Sequence, residues 1–141
     1  MDSDEAPTQK ARGLVIRAVR VTREQVRAAR DTVFVFGDNM ARRGFGGQAA
    51  AMRGEPNSVG VPTKWRPARD LAAYFADTDW QNEEVRQAVL GAFERIERAL
   101  ASGRDVVIPA DGLGTGLADL PRRAPVIHAC ISRMIEELER A

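Results

Sequence analysis

The chain of 141 residues is long enough for one domain with its own hydrophobic core, without disulfides or a metal as a staple. Lys and Arg total 21 and Asp and Glu total 20, so the near-neutral balance gives no general attraction to duplex DNA. The single Cys130 excludes an intrachain disulfide, and neither Cys130 nor the single His128 belongs to a metal-ligand cluster. We therefore predict one domain that needs no metal ion and no cofactor.

Membrane association and secretion are not expected. The longest apolar runs are far too short to span a bilayer, and residues 1–5 lack the basic start of a secretory signal. We predict a soluble, cytoplasmic protein without membrane contact. Residues 1–11 are polar, carry Pro7 and have nothing to bury, so we expect a flexible tail before a domain over 12–141.

Periodicity and turn residues predict an α/β domain of three layers, with helices on both faces of a central sheet. Thr22 opens a capping box with Gln25, and Gly103 ends a long amphipathic helix. Strands are predicted over 14–21, 33–36, 58–61 and 105–109. Helical segments are predicted after Thr22, over 48–52, 71–75 and 82–102, and from Pro125 onward.

A glycine-rich turn follows the buried strand 33–36, which Gly37 is expected to end. Gly44, Gly46 and Gly47 allow close backbone approach just before a helix that begins at Gln48. An anion such as phosphate fits at such a turn. A tight connection without any ligand is the alternative interpretation.

A second turn of the same kind follows the strand 105–109. Gly112, Gly114 and Gly116 alternate with other residues, and Thr115 adds a hydroxyl donor. Since both loops follow strands, we expect them to meet at one end of the sheet and hold a diphosphate, which predicts a nucleotide-like ligand. Lys64 and Trp65 follow the strand 58–61 at the same end, as ligand contacts or as a solvated amine and a rim aromatic.

Three segments, in this order, resemble macrodomains over roughly residues 12–140. They are Arg-Gly-Phe-Gly-Gly-Gln-Ala at 43–49, Val-Pro-Thr-Lys at 61–64, and Ile-Pro-Ala-Asp-Gly-Leu-Gly-Thr-Gly-Leu-Ala-Asp-Leu at 108–120. The most similar group contains the terminal ADP-ribose glycohydrolase and the DNA ADP-ribosyl antitoxin. The resemblance implies a mixed central sheet flanked by helices, a cleft for ADP-ribose, and hydrolysis of an ADP-ribosyl bond on DNA or protein.

Residue roles also follow from the resemblance. It implies catalytic roles for Lys64 and Asp119, and it places the ribose-side asparagine at Asn39. The chain departs from the group at the spacing before the first glycines, at Gln48 and at Leu120. The implied ligand-binding residues are Asp38, Asn39, Gly44, Gly46, Gly47, Gln48, Thr63, Gly112, Gly114, Thr115 and Gly116.

The chemistry of the Lys64 and Asp119 pair is consistent with glycosidic cleavage. A carboxylate stabilises positive charge at C1 of the ribose or activates water, and an amine of lowered pKa attacks C1. Burial or the nearby Arg66 would lower the pKa of Lys64. Alternatively, Asp119 caps the turn before Pro121 and Lys64 only binds a phosphate.

Two functions of different class remain open: a hydrolase, of the toxin–antitoxin type among others, and a non-catalytic sensor of ADP-ribose. A DNA-binding scaffold is disfavoured by the charge balance, although several cations could form a local rim that contacts nucleic acid. These are Arg42, Arg43, Arg53, Lys64 and Arg66. The sequence does not indicate an oligomeric state.

Overall fold

The computed structural model describes residues 11–141, so the predicted tail lies outside the described residues except for Ala11. The strands are β1 (Val15–Ala18), β2 (Val33–Asp38), β3 (Ser58–Pro62) and β4 (Val106–Pro109). The helices are α1 (Arg23–Ala28), α2 (Ala49–Met52), α3 (Glu83–Ala101), α4 (Leu120–Arg123) and α5 (Pro125–Arg140). Two 3₁₀ turns, Leu71–Ala73 and Asp77–Gln81, lead into α3. Within 11–141 no helix is both long and apolar enough to cross a bilayer.

Local sequence signals set the helix ends. Thr22 Oγ1 accepts from the Gln25 amide at 3.2 Å, and Gln25 Oε1 accepts from the Thr22 amide at 2.8 Å, which confirms the capping box of α1. Asn82 caps α3 by accepting from the amide of Glu84 at 2.9 Å. Gly103 follows α3 with a φ of +91°, a left-handed conformation in which glycine is favoured.

All four strands are parallel, in the order β1-β4-β2-β3. The implied mixed sheet is therefore wrong for the described residues, where the one antiparallel pairing is an isolated bridge between Lys64 and Tyr74. Gly37 does not end β2, because Gly37 and Asp38 still pair with Val61 and Pro62 of β3. β1 is shorter than 14–21, since its pairing with β4 ends at Ala18.

Helices cover both faces of the sheet, which confirms the α/β class. Alternate strand residues, including Val35, Val61 and Ile108, pack with α3 and α5 in the larger core cluster. The residues between them, including Phe34 and Phe36, pack with α1 and α2 on the other face. The period of two along each strand therefore divides the apolar side chains between two helix layers.

A topological switch point lies between β2 and β4, the two central strands. The chain leaves β2 toward α2 on one face and leaves β4 toward α4 and α5 on the other. The loops that follow the two strands diverge, and open parallel sheets bind ligands in the crevice formed this way. The fold thus creates a crevice between the two glycine loops.

A buried carboxylate ties α1 to the segment after α2. Glu55 is 8% exposed, and its oxygens lie 2.5, 3.0 and 2.9 Å from guanidinium nitrogens of Arg23, Arg27 and Arg30. The hydrogen bond from Arg23 is the main reason that the pKa of Glu55 falls to about 2, and Arg30 and Arg27 lower it further. The charged form of Glu55 is therefore the stabilising one.

We expect Glu55 to make the fold acid-sensitive. Because its folded pKa of about 2 lies below the ordinary 4.5, its contribution is present above pH 4.5 and is lost as pH falls toward 2. Glu55→Gln should be less stable than wild type at pH 6, and the difference in unfolding free energy should shrink toward pH 2. Urea titrations across this range measure it, with the exposed Glu137→Gln as control. If the difference in unfolding free energy between Glu55→Gln and wild type stays constant between pH 6 and pH 2, the charged form of Glu55 is not the stabilising one.

Candidate functional site

A cleft of about 550 Å³ lies at the carboxyl ends of β2 and β4, within the range of small-molecule sites. Both glycine loops line it, so the structure brings together segments that are about 70 residues apart in the sequence. Most of the predicted site residues lie in its wall. These are Asp38, Asn39, Gly44, Gly46, Gly47, Gln48, Thr63, Lys64, Gly114, Thr115 and Gly116.

Gly112 and Asp119 lie outside the cleft lining. Gly112, with a φ of +85°, closes a turn by donating its amide to the Pro109 carbonyl at 2.9 Å. Asp119 is left-handed at φ +51°, and its Oδ2 accepts from Arg122 Nε at 2.8 Å. It makes no side-chain cap of α4 and pairs with Arg122 and Arg123 rather than with Lys64. Ligand contact by Gly112 and catalysis by Asp119 stay predictions.

The Asp38 side chain organises the first loop and is only 3% exposed. Arg53 forms an ion pair with Oδ1 while its own Nε donates to the Gly44 carbonyl at 2.6 Å. Arg42 Nη1 donates to Oδ2 at 3.0 Å. These bonds occupy the carboxylate, so Asp38 lines the cleft as a structural anchor.

Both loops of the cleft lining contain runs of main-chain amides without a protein acceptor. Among the described residues, the main-chain amides of 44–47 donate to no protein acceptor. The same holds for the amides of 115–117 in the second loop. Gly44 is half-buried and the other six residues are exposed, so these amides can donate to water or to a bound anion. Successive amides without a protein acceptor can form a concave anion site. The two loops thus offer donors for an anionic group.

The charge of the cleft is positive. Arg43, Arg53, Lys64 and Arg69 line it, against the single carboxylate of Asp38. Arg53 is already paired with Asp38, whereas Arg43 and Arg69 make no ion pair within residues 11–141. The excess positive charge favours ligands that carry two or more negative charges.

Asn39 offers an acceptor to a ligand. The residue is 6% exposed, and its Nδ2 donates to the Arg43 carbonyl at 2.8 Å. Its Oδ1 is buried and has no partner among the described residues. An unpaired buried acceptor is costly, and a hydroxyl that donates to it would remove that cost.

Gln48 reaches back across the floor of the cleft. Its Oε1 accepts from the Gly37 amide at 3.0 Å, so the Gln48 side chain satisfies a main-chain donor near the end of β2. A Cβ built on Gly37 would contact Thr63 Oγ1, the Gly114 amide and Gln48 Oε1 at 3.5–3.9 Å. Gly37 is therefore the point where both loops and β3 converge.

Lys64 projects into the cleft beside Tyr74. Its Nζ donates to the Ala68 carbonyl at 2.7 Å and lies 4.4 Å from the centroid of the Tyr74 ring. Burial lowers the pKa of Lys64, and the positive charges of Arg123 and Arg69 lower it further. The sequence predicts that burial or Arg66 lowers the pKa of Lys64. Burial is the main cause of the lowered pKa, and Arg66 is a minor one.

Several residues of the cleft were not predicted. Tyr74 and Arg69 line it, but no motif in the sequence marks them. Phe45 and Leu117 also line it and lie inside the two glycine-rich segments, where the sequence analysis did not single them out. Trp65 was a candidate and is turned away: its ring packs edge-on against Phe75 with centroids 5.4 Å apart. Of the predicted basic rim, Arg43, Arg53 and Lys64 line the cleft, while Arg66 pairs with Asp70.

The comparison with protein families matches residues 16–134 to the family of unknown function DUF7831. The chain belongs to this family. No curated protein and no solved structure matches the chain. The description of DUF7831 assigns no activity, so the macrodomain resemblance stays a prediction and the function has to be argued from the cleft itself.

Two glycines of the second loop should differ in their tolerance of alanine. Gly114 has a φ of +78°, and a Cβ there would stand 2.4 Å from Cδ1 of the buried Leu120. Gly114→Ala should lower the unfolding free energy by about 1–3 kcal/mol. Gly116, with nothing within 4 Å of a Cβ and no positive φ, should accept alanine within about 0.5 kcal/mol. Equal stability of the two variants in urea titrations would show that the loop geometry is different.

Proposed function

We propose that the protein binds the ADP-ribosyl group, free or attached to DNA or protein, and that it hydrolyses the ADP-ribosyl linkage. The observation that carries the proposal is the pair of amide runs without a protein acceptor, 44–47 and 115–117, which line one cleft of net positive charge. A diphosphate has two groups of acceptor oxygens in sequence, which suits two donor loops better than a single phosphate does. The resemblance to macrodomains points to the same ligand.

The ribose end of this ligand is assigned to the side of the cleft that holds Asn39 and Lys64. The unpaired Oδ1 of Asn39 suits a ribose hydroxyl as donor. Thr63 fixes this region because its amide and its Oγ1 both donate to the Asp38 carbonyl, at 2.9 and 3.1 Å. A ribose placed here brings C1 within reach of the Lys64 side chain.

The proposed reaction uses the neutral amine of Lys64. Its lone pair forms a bond to C1 while the bond from C1 to the acceptor breaks, and the acceptor leaves with the electron pair and takes up a proton. Water then releases ADP-ribose and restores the amine. Asp119 is the proposed proton-transfer group, which requires that its carboxylate exchange the contacts with Arg122 and Arg123 for the substrate.

A sensor without turnover is the second candidate. Asp119 lies outside the cleft lining, and the Lys64 amine is engaged by the Ala68 carbonyl at 2.7 Å. Both groups would then serve structure and ligand binding alone. The two candidates share the same ligand and differ in whether the linkage is broken.

ADP-ribose should raise the melting temperature. A ligand that binds only the folded state adds about 2.7 kcal/mol at a hundredfold excess over Kd. Arg69→Gln should weaken binding by about 1.5–3 kcal/mol, the typical contribution of a charge-assisted hydrogen bond. Arg133→Gln on the exposed side of α5 is the matched control and should bind as wild type does. Absence of a shift at millimolar ADP-ribose would argue against the proposed ligand.

Turnover should separate the hydrolase from the sensor. Lys64→Ala and Asp119→Ala should each lower the rate of ADP-ribose release by about 10² to 10⁴, with little change in affinity. The double variant should be no slower than the poorer single variant, because groups that act as a unit are not additive. The substrates are a modified DNA strand and a glutamate-modified protein. Equal rates for all forms exclude this pair, and binding without wild-type turnover favours the sensor.

A further inference from the structure

Two cations share one aromatic ring at the Lys64 end of the cleft. Arg123 Cζ lies 3.7 Å from the centroid of the Tyr74 ring, and Lys64 Nζ lies 4.4 Å from the same centroid. Each cation is attracted to the ring, whereas the two positive charges repel each other. Arg123 has no part in the reaction as written above, so this arrangement needs its own explanation.

The backbone fixes the position of Tyr74. An isolated antiparallel bridge pairs Lys64 with Tyr74, and the Trp65 amide donates to the Ala73 carbonyl at 2.8 Å. The Tyr74 hydroxyl makes no hydrogen bond within the described residues, and the side chain is half-buried in the cleft wall. The ring face is what Tyr74 offers to the two cations.

Arg123 is held by charge and stacking more than by hydrogen bonds. Its side chain is 25% exposed, and its Nε is buried without a hydrogen-bond partner among the described residues. The 3.3 Å approach of Nε to Asp119 Oδ2 is an ion pair whose angle does not suit a hydrogen bond. A guanidinium donor left unpaired in this way is costly, and the contact of Arg123 with the Tyr74 ring offsets part of that cost.

We propose that Arg123 and Tyr74 are positioning residues for Lys64: the ring orients the amine in the cleft, and the guanidinium on the same ring places a positive charge beside the amine that disfavours its protonation. This inference deepens the proposed function, since its catalytic consequence rests on that function. The placing of both cations on the Tyr74 ring does not depend on any reaction. This shared contact links α4, which carries Arg123, to the end of β3, which leads to Lys64.

The electrostatic surroundings of Lys64 agree with this role. Burial lowers the pKa of Lys64 first, Arg123 is the largest contributor among the charges, and Arg69 and Arg66 act in the same direction. Asp70, which is paired with Arg66, opposes them, and Arg123 is itself paired with Asp119. The charges that face the amine therefore come from α4 and from the loop 66–70, and the carboxylate of Asp119 is not among them.

The test is the pH dependence of Lys64 acylation by acetic anhydride, followed by mass spectrometry, which reads the neutral amine without any substrate. Arg123→Met keeps an apolar stem and removes the charge, so the midpoint of labelling should move to higher pH. Below the midpoint, each unit of that move lowers the neutral fraction about tenfold. Arg123→Lys keeps a positive charge and should retain more of the lowered midpoint. An unchanged midpoint in a folded Arg123→Met variant would overturn the proposal.

Tyr74 supplies the matched pair for orientation. Tyr74→Phe keeps the ring face that the amine contacts, so it should lose much less turnover than a variant without the ring. Tyr74→Leu removes the ring face and should lower kcat by about 10², the typical cost of a misplaced reacting group, with KM changed little. Equal effects of both substitutions would overturn the role of the ring. If the wild type binds no ADP-ribose while the labelling midpoint of Arg123→Met still lies at a higher pH than that of the wild type, the proposed function is refuted and this inference stands.

Discussion

The cleft depends on the buried carboxylate of Asp38 at the end of the central strand β2. A charge in this position is costly unless it is paired, and Arg53 and Arg42 pair with both of its oxygens. Arg53 also holds the Gly44 carbonyl, so the same ion pair closes the first glycine loop against the sheet. Gly60 of β3 permits the fit, because a Cβ there would stand 2.5 Å from Asp38 Oδ2. Losing any of these groups would release the loop that forms half of the cleft.

The pairing at Asp38 also decides the charge that a ligand meets. Because this carboxylate is paired, Arg43 and Arg69 act on the cleft without an opposing charge in its lining. The loop amides add donors that need no side chain. Since the amides are part of the backbone, substitutions in the loops act through glycine geometry, and substitutions of the arginines act through charge. The two contributions to anion binding can therefore be separated by mutation.

Lys64 connects binding with chemistry. Its pKa is lowered mainly by burial, and a neutral amine is a nucleophile, whereas a protonated one only attracts phosphate. The amine donates to the Ala68 carbonyl, which lies in the same loop as Arg69. Tyr74 and Arg123, which belong to other segments of the chain, limit the positions that the amine can take. The choice between the two proposed functions, hydrolase and sensor, thus depends on the protonation of this amine and on its reach to C1 of the proposed ligand.

The sequence by itself determined the local features: the capping box at Thr22, the amphipathic α3, the strands and the two glycine loops that follow β2 and β4. These depend on residues close in sequence, where periodicity and backbone preference act directly. The α/β class followed from their order. Only the tertiary structure decided that the sheet is wholly parallel, that Asp38 is an anchor, and that Asp119 pairs with Arg122 and Arg123. Tyr74 and Arg123 reach the Lys64 amine only after folding, because the pairing of separate segments depends on contacts that no local pattern encodes.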